Sequence, residues 1–569
     1  MSTARDAAIE AQPAGFEPDS AVPWLQPPRA VVWVVLLATL ILFGFIRYRL
    51  RDMPLERDEG EYAYSGQLLL QGIPPYKLAY NMKLPGIYAA YAAILWVFGE
   101  TPAAIHCGLI VVNAATFVLL YFLVAPLFGR LAATISACSW ALLSAGSPVM
   151  GFQAHATNFV LPPAILGIVL LVRVRTRGWL LFLSGICSGV AVHMKQHGLF
   201  FVLFCLLYLF LAGGNYQHAL RPRLRRTAVY IVGVALPYAI TCALLYRAGV
   251  LARFWFWTVS YAGEYSKMGA RRALHAFIES SSAIVVQTAP IWILAALGLT
   301  ALWWGRSASR HSRFLALFLF CSFLSLCPGA YFRPHYFVLI LPAAAILTGV
   351  AVSSAIERLA DHSRCLLLPL LPILGFALCF GAAIFHERQV YFRMNALEVF
   401  GSTYPGSPFA AAVPIADYVK NNSAPTDPIA VIGSEPEIYF YSHRRSATGY
   451  IYMYSLIVRH KYTARMRDEF IRELETSRPK YLIYSDVEES WGERSGVQQA
   501  APFLAWLQKF MNEGYECEAV ADLAAGRQYL CDDAPRACRA CTGLPSAIYV
   551  LRRREYVTAQ QLPQASSLR

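Results

Sequence analysis

Glu56, Asp58, Glu59 and Glu61 lie together with Lys77, Lys83 and several tyrosines in the stretch ERDEGEYAYSGQLLLQGIPPYKLAYNMKLP, which ends at Pro85. Apolar sequence flanks it on both sides. A carboxylate at a bilayer edge is expensive unless it is used, and one placed beside an attacking hydroxyl can take its proton. Asp58, Glu59 and Glu61 also open a short helical pattern that stops at Gly72, with Pro74 and Pro75 just beyond. A capped helix start therefore explains part of the pattern without any chemistry. Further polar groups follow: Gln153, His155 and Asn158; His193, Lys195, Gln196 and His197; Glu264, Lys267, Arg271, Arg272 and His275; then Arg333, His335 and Tyr336. A single basic residue at a helix end is usually a snorkelling anchor. Several of them on the same face as a carboxylate suit a lipid-linked substrate with a phosphate or pyrophosphate leaving group, whose developing charge they would stabilise.

The elements that must position these residues are helices in a membrane. The chain has 569 residues, 57% hydrophobic and 15% charged, with a mean hydropathy of +0.44, which identifies a polytopic α-helical membrane protein. Long apolar runs cover about Ala30–Ile46, Ala104–Phe128, Leu131–Gly146, Phe159–Val172, Trp179–Met194, Leu199–Gly213, Thr227–Tyr246, Ser282–Trp304, Phe314–Cys327, Tyr336–Val352 and Cys365–Phe385. These give about eleven transmembrane helices in a segment spanning 30–385. Residues 1–29 read as a cytoplasmic, disordered tail and 386–569 as a small α/β domain. No cleavable signal peptide precedes the first apolar run. The net charge of +14 comes mostly from arginines at the ends of apolar runs, so it points to topology and lipid headgroups rather than nucleic acid.

Clusters at Arg173, Arg175 and Arg177, at Arg221, Arg223, Arg225 and Arg226, at Arg306, Arg310 and Arg313, and at Arg358 and Arg364 all fall on one side of a consistent alternation, the cytoplasmic one. A first outer loop then covers 47–103, provided that Leu84–Phe98 does not cross. With fifteen residues it is shorter than the ~20 a span needs. Its Tyr88, Tyr91 and Trp96 suit a helix lying in the interface. Arg47, Arg49, Arg51 and Arg57 oppose this topology. They require either outer-leaflet lipid phosphates or a different course of the chain.

In the C-terminal part, Ile429–Ile432 and Tyr481–Tyr484 read as strands, with a helix around Arg465–Glu475 between them. Another helix is expected at Pro502–Met511, with late strands at Arg527–Leu530 and Ala547–Leu551. GSEPEIYFY reads as a turn into a helix or an extended arm, and no nucleotide-binding fingerprint is present. Cys517, Cys531, Cys538 and Cys541 suit either a zinc site or two disulfides. On the extracytoplasmic side, disulfides are the favoured outcome.

RDEGEYAY, MKLPGIYAAY, HMKQHGL and FRPHYFVLILP, taken in order, resemble motifs of the polytopic GT-C glycosyltransferases, in the branch that is protein mannosyltransferase-like. That branch includes lipid A aminoarabinose transferase and the rhizobial lipopolysaccharide galacturonosyltransferases. The resemblance covers most of Ala30–Val352. It implies that Asp58 is the catalytic carboxylate, that Lys83 contacts a donor phosphate, and that the segment after Lys83 is a juxtamembrane helix. HATN, with His155 and Asn158, stands where the family usually carries a second acid, which argues against a divalent metal held between two acids. KLP replaces the commoner KPP.

The resulting expectation is an inverting glycosyl transfer at the outer face of a bacterial inner membrane. The donor is a polyprenyl-phosphate sugar and the acceptor is a hydroxyl of a lipid or cell-envelope glycan. Asp58 acts as general base, and Glu59 or Glu61 positions the acceptor. Lys83, Lys195 and Arg333 hold the phosphate, and Tyr62, His155, Asn158, Gln196, His335 and Tyr336 complete the substrate site. No cofactor is assigned; a divalent metal stays open as an alternative, against which stands the missing second acid. The competing class is a transporter or flippase of a lipid-linked sugar, against which stand the absence of an internal repeat and the concentration of acids in one loop. A membrane-anchored scaffold with an outer binding domain would need no polar cluster at all.

Overall fold

The computed structural model describes residues 26–174, 178–211, 220–265, 269–362, 365, 367–491, 500–523, 527–530 and 546–554. Most of residues 1–29, Arg175, Arg177, Lys267, Arg364, Cys531, Cys538 and Cys541 lie outside this set. The chain is a multi-pass helical membrane protein. Among the described residues, six helices are individually long and apolar enough to cross a membrane, and a bent pair taken as one span makes a seventh. The six are α1 (Arg29–Arg49), α4 (Pro102–Ser144), α5 (Ala156–Arg173), α8 (Leu220–Arg247), α12 (Leu341–His362) and α13, which with the short turn before it covers Leu368–His386. The bent pair is α9 (Ala270–Gln287) and α10 (Ala289–Trp304), which meet at 102°. Shorter apolar helices are α3 (Pro85–Phe98), α6 (Gly178–Met194), α7 (Leu199–Leu211) and α11 (Ser312–Leu324).

Helix α4 contains 43 residues, and at 1.5 Å per residue it is about twice the ~30 Å hydrocarbon thickness. Gly129 resolves this. Its φ of 85° and ψ of 168° leave helical geometry, and the Gln26 side chain accepts from the amides of Arg130 and Leu131 just after the break. The two halves correspond to the apolar runs Ala104–Phe128 and Leu131–Gly146. The expected run Ser282–Trp304 is broken at Thr288, and Tyr336 lies not in a span but in the 3-10 turn Pro334–Leu339 ahead of α12.

The first loop folds as read from its pattern. Helix α2 (Arg57–Leu70) starts at a capping box in which Glu56 accepts from the Glu59 amide and Glu59 accepts from the Glu56 amide. It ends just before Gly72, whose φ is 74°. The C-terminal part forms one sheet with the order β1-β2-β5-β3-β4. Its strands are β1 (Ile429–Ile432), β2 (Tyr481–Asp486), β3 (Tyr515–Asp522), β4 (Arg527–Leu530) and β5 (Ala547–Arg553). Only β1 and β2 are parallel; the other pairs are antiparallel. Helices α14 (Phe409–Asn421), α15 (Glu437–Ser442), α16 (Thr463–Ser477) and α17 (Ala501–Gly514) complete this part. GSEPEIYFY thus ends in the short helix α15. Strand β3 was not anticipated, and its Cys517 is disulfide-bonded.

This sheet is fastened to the first loop. Arg57 donates to the Ser434 carbonyl at 2.7 Å, the Leu55 amide donates to the Tyr441 hydroxyl at 2.7 Å, and the Ser446 amide donates to the Tyr64 hydroxyl at 2.7 Å. A Cβ on Gly60 would lie 2.6 Å from Cβ of Glu437, so α2 and α15 meet where only glycine fits. Direct contact requires the chain to cross the membrane an even number of times between α2 and β1.

The opposing arginines have partners within the protein. Arg47 donates to the carbonyls of Ser144 and Gly151, and Arg49 to those of Val390, Tyr391 and Met394. Arg51 sits 4.0 Å from the Tyr48 ring. These charges are engaged by protein carbonyls and a ring, so lipid phosphates are not needed to explain them. Cysteines introduced at the exposed positions Lys77 and Glu513 are expected to react with a membrane-impermeant thiol reagent from the same side of sealed vesicles. Labelling from opposite sides would contradict this packing.

Candidate active site

Asp58 sits in the first turn of α2, and a long loop returns Lys83 to it. The ammonium lies 3.1 Å from Asp58 Oδ1 and donates to the Tyr62 hydroxyl at 2.8 Å. Local bonds fix that loop: the Tyr76 hydroxyl donates to the Lys83 carbonyl at 2.7 Å, and Gln196 Nε2 donates to the Met82 carbonyl at 2.9 Å. The two charged side chains are 20% and 18% exposed, so a substrate can reach them. Burial alone would raise the Asp58 carboxyl, but Lys83, with His155, Lys195 and Arg333 further off, holds it well below the usual carboxylate range. Lys83 is correspondingly raised despite its own burial, chiefly by Asp58.

The other two acids of α2 are fully buried. Glu59 accepts from the Ala154 amide at 2.6 Å and pairs with His106 Nε2 at 3.1 Å. Glu61 accepts from the Tyr88 hydroxyl at 2.6 Å, from Asn81 at 2.7 Å and from the Tyr452 hydroxyl at 2.9 Å. Both carboxylates hold α2 against its neighbours, and neither is open to an acceptor in this arrangement. Asn158 likewise donates to the Gln153 and His155 carbonyls within its own loop, and Gln196 fixes the Lys83 segment. Burial pushes the Glu61 carboxyl up to about 7.

On the other side of Asp58 lies a file of rings. One donor atom each from Asp58, His155 and His335 lies within 4.8 Å of the other two. His155 and His335 stack at 4.1 Å, His335 meets Tyr336 edge-on at 4.8 Å, and His197 meets Tyr336 at 4.6 Å. Lys195 Nζ lies 4.2 Å from the Tyr336 ring centre. Lys195 is buried and has no carboxylate at ion-pair distance among the described residues. Both ring nitrogens of His155 and both of His197 are buried without hydrogen-bond partners. Burial lowers His155 to about 4 and drives His335 and Lys195 well below their ordinary values, with neighbouring positive charge adding to the effect. Arg333, the remaining expected residue, is exposed at the mouth of this region. Sequence reasoning did not assign Glu56, His197 or Tyr452 to the site; the second histidine of HMKQHGL was the one available signal.

The Asp58, His155 and His335 set does not fit a divalent ion. The two imidazole planes are 16° apart, so their in-plane lone pairs run side by side and cannot converge at the ~2 Å a metal–nitrogen bond needs. Lys83 already neutralises the carboxylate.

These geometries can be set beside known proteins. No family model matches the chain, and neither does any curated protein. Among solved structures, ArnT from Cupriavidus metallidurans bound to undecaprenyl phosphate superposes with a TM-score of 0.55 at 16% identity, covering 84% of this chain and 95% of that one. The apo ArnT structure gives 0.55 at 14%, covering 92% and 98%. The Archaeoglobus fulgidus oligosaccharyltransferase tethered with an acceptor peptide gives 0.50 at 13%, covering 88% and 74%. The chain has the GT-C fold. ArnT and the oligosaccharyltransferase are both glycosyltransferases of that fold.

Glu61 makes a testable link between this site and the C-terminal sheet. Its carboxyl is raised in the folded state, so the stability it contributes is full below an unfolded value of ~4.3 and is lost as pH rises through about 7. The loss is on the order of 3 kcal/mol. The thermal midpoint of purified protein in detergent is expected to fall by several degrees from pH 5 to pH 8. Glu61→Gln should flatten that slope, and an unchanged slope in the variant would refute the assignment.

Proposed function

We propose that this protein is an inverting glycosyltransferase that moves a sugar from a polyprenyl-phosphate donor to a hydroxyl of a lipid or cell-envelope glycan. The reaction takes place at the outer face of a bacterial inner membrane, on the side that carries the C-terminal sheet. The observation that carries this reading is Lys195. A buried ammonium without an anionic partner is costly, and here it stands beside a carboxylate that already has its own cation. A bound anion would complete the site, and a single phosphate at the membrane edge meets that need. The GT-C fold, the disulfide at Cys517 and the ArnT structure with undecaprenyl phosphate support the same reading.

In this mechanism Asp58 takes the proton of the acceptor hydroxyl as its oxygen attacks the anomeric carbon. The bond from that carbon to the phosphate oxygen breaks on the opposite face, and the phosphate leaves with the electron pair. Lys195 stabilises the charge that develops on it, with Arg333 at the rim. Lys83 fixes the Asp58 carboxylate and keeps it ionised until the acceptor arrives. His335 and Tyr336 form the wall between the two charges, and Tyr62 seats Lys83. No metal enters any step.

Release of undecaprenyl phosphate from undecaprenyl-phosphate hexoses, neutral and acidic, is the test, using purified protein in liposomes with a membrane-lipid extract as acceptor source. Asp58→Asn is expected to lower turnover on the order of 10²–10⁴-fold, and Lys195→Met to lower kcat/KM by about 10²-fold, both with unchanged elution and thermal midpoint. A stably inserted Asp58→Asn protein with full activity would remove Asp58 from its role. Prolonged treatment with EDTA, checked by elemental analysis of the protein, is expected to leave the rate unaltered. A loss restored by one divalent metal would refute the metal-free arrangement.

A further inference from the structure

Once Asp58 has taken a proton, that proton must leave before the next turnover, and the arrangement around Asp58 supplies a receiver. His155 lies between two carboxylates. Its Nδ1 is 3.5 Å from Glu56 Oε1, and one of its nitrogens is within 4.8 Å of an Asp58 oxygen. Neither ring nitrogen has a hydrogen-bond partner, and the residue is 2% exposed. A buried imidazole with both nitrogens free is poised to take a proton on one side and present one on the other. Its position is fixed from three directions. The His335 ring stacks on it at 4.1 Å, Asn158 donates to its carbonyl oxygen, and the Glu56 side chain is held by the Glu59 amide at 2.9 Å.

We infer that His155 is the second proton carrier of the transfer reaction, taking the acceptor's proton on from Asp58, with Glu56 as the residue that orients its ring. This rests on the glycosyl-transfer reading above. The acceptor O–H bond breaks as its proton goes to Asp58, the acceptor oxygen bonds the anomeric carbon, and the phosphate leaves with the pair of the broken bond. The proton then passes from the Asp58 carboxyl to a His155 nitrogen, returning Asp58 to its ionised, Lys83-paired state, and is released from the imidazolium to solvent as the products depart. Charge is conserved, because a phosphodiester monoanion becomes a phosphate monoester dianion plus one proton. The direction of the second transfer is favourable, since Lys83 holds the Asp58 carboxyl far down while His155, at about 4, remains the stronger base. The groups facing His155 are Glu56, Asp58 and Glu59 from α2, Lys83 and Lys195 from the two lysine-bearing turns, and His335. Asp58 and Glu59 offset the imidazolium, and the departing phosphate adds negative charge when the cation forms.

The test uses the full-length protein in liposomes and the same undecaprenyl-phosphate hexose assay, with wild type, His155→Gln, His155→Ala and Glu56→Gln. His155→Gln is expected to lower kcat about 10²-fold with KM for the donor little changed, and to abolish the acidic limb of the kcat–pH profile. His155→Ala with added imidazole should recover about tenfold or more of the lost rate, which a purely structural role would not produce. Glu56→Gln should shift the acidic limb without removing it. Wild-type kcat and an intact acidic limb in His155→Gln would overturn the relay while leaving glycosyl transfer standing. Failure of imidazole to restore any rate to a folded His155→Ala protein would overturn it equally. A wild type that releases no undecaprenyl phosphate from any donor would overturn the glycosyl reading and this inference together. That outcome is distinguished by being seen before any variant is made.

Discussion

A carboxylate placed where a bilayer meets protein keeps its charge only if a cation is brought to it, and the pairing of Asp58 with Lys83 is the constraint on which the outer half of this molecule depends. Twenty-four residues of chain separate the two, and a set of specific bonds makes them meet. The α2 capping box fixes Asp58 in the first turn. Tyr76, Asn81 and Gln196 pin the returning loop, and Tyr62 receives a second bond from the ammonium. Glu59 and Glu61 serve the same end from the buried side of α2. One ties it to α4 and the Ala154 turn, the other to α3 and Tyr452 of the C-terminal part. Three acids within four residues therefore have three different tasks, decided by what each one's side of the helix meets.

Pairing Asp58 so closely changes what the rest of the site must do. Lys83 is committed to the carboxylate, so the anion of a substrate must be met by another charge, and Lys195 stands unpaired behind the Tyr336 ring. The neighbouring histidines are neutral because burial and the surrounding cations oppose their protonation. A neutral imidazole can accept or donate, and the stack of His155 on His335 places one beside Asp58 without forming a chelate. The same logic governs the arginines after α1. Charges at the end of α1 are tolerated because backbone carbonyls of the neighbouring segments take the place of water and lipid headgroups.

Much of this was legible in the sequence because membrane helices and capped helix starts obey short-range rules. Most of the apolar runs, the α2 start with Asp58 and Glu59 in its first turn and four of the five strands follow from residue type and spacing alone. Strand β3 was missed although YECEA alternates apolar and polar residues, because Glu, Ala and Asp are poor strand formers and its place in the sheet comes from its partners β4 and β5. The break at Thr288 was missed for a related reason. Gln287, Thr288 and Pro290 mark the spot within an otherwise apolar run, but no local feature encodes the 102° angle between the two helices.

The sequence by itself determined that this chain is a multi-pass membrane protein with an acidic first loop, basic turns on the same face and an α/β C-terminal part. Each of those statements depends on hydrophobic periodicity or charge within a few residues. Only the tertiary structure decided which acid faces the open site and which two are buried fasteners, that Glu56 and His155 adjoin Asp58, and that Tyr452 of the C-terminal part closes on Glu61. These relations join residues as much as 391 positions apart. Burial and partner choice at such separations are settled by packing, because a carboxylate's role follows from the groups the fold brings to it.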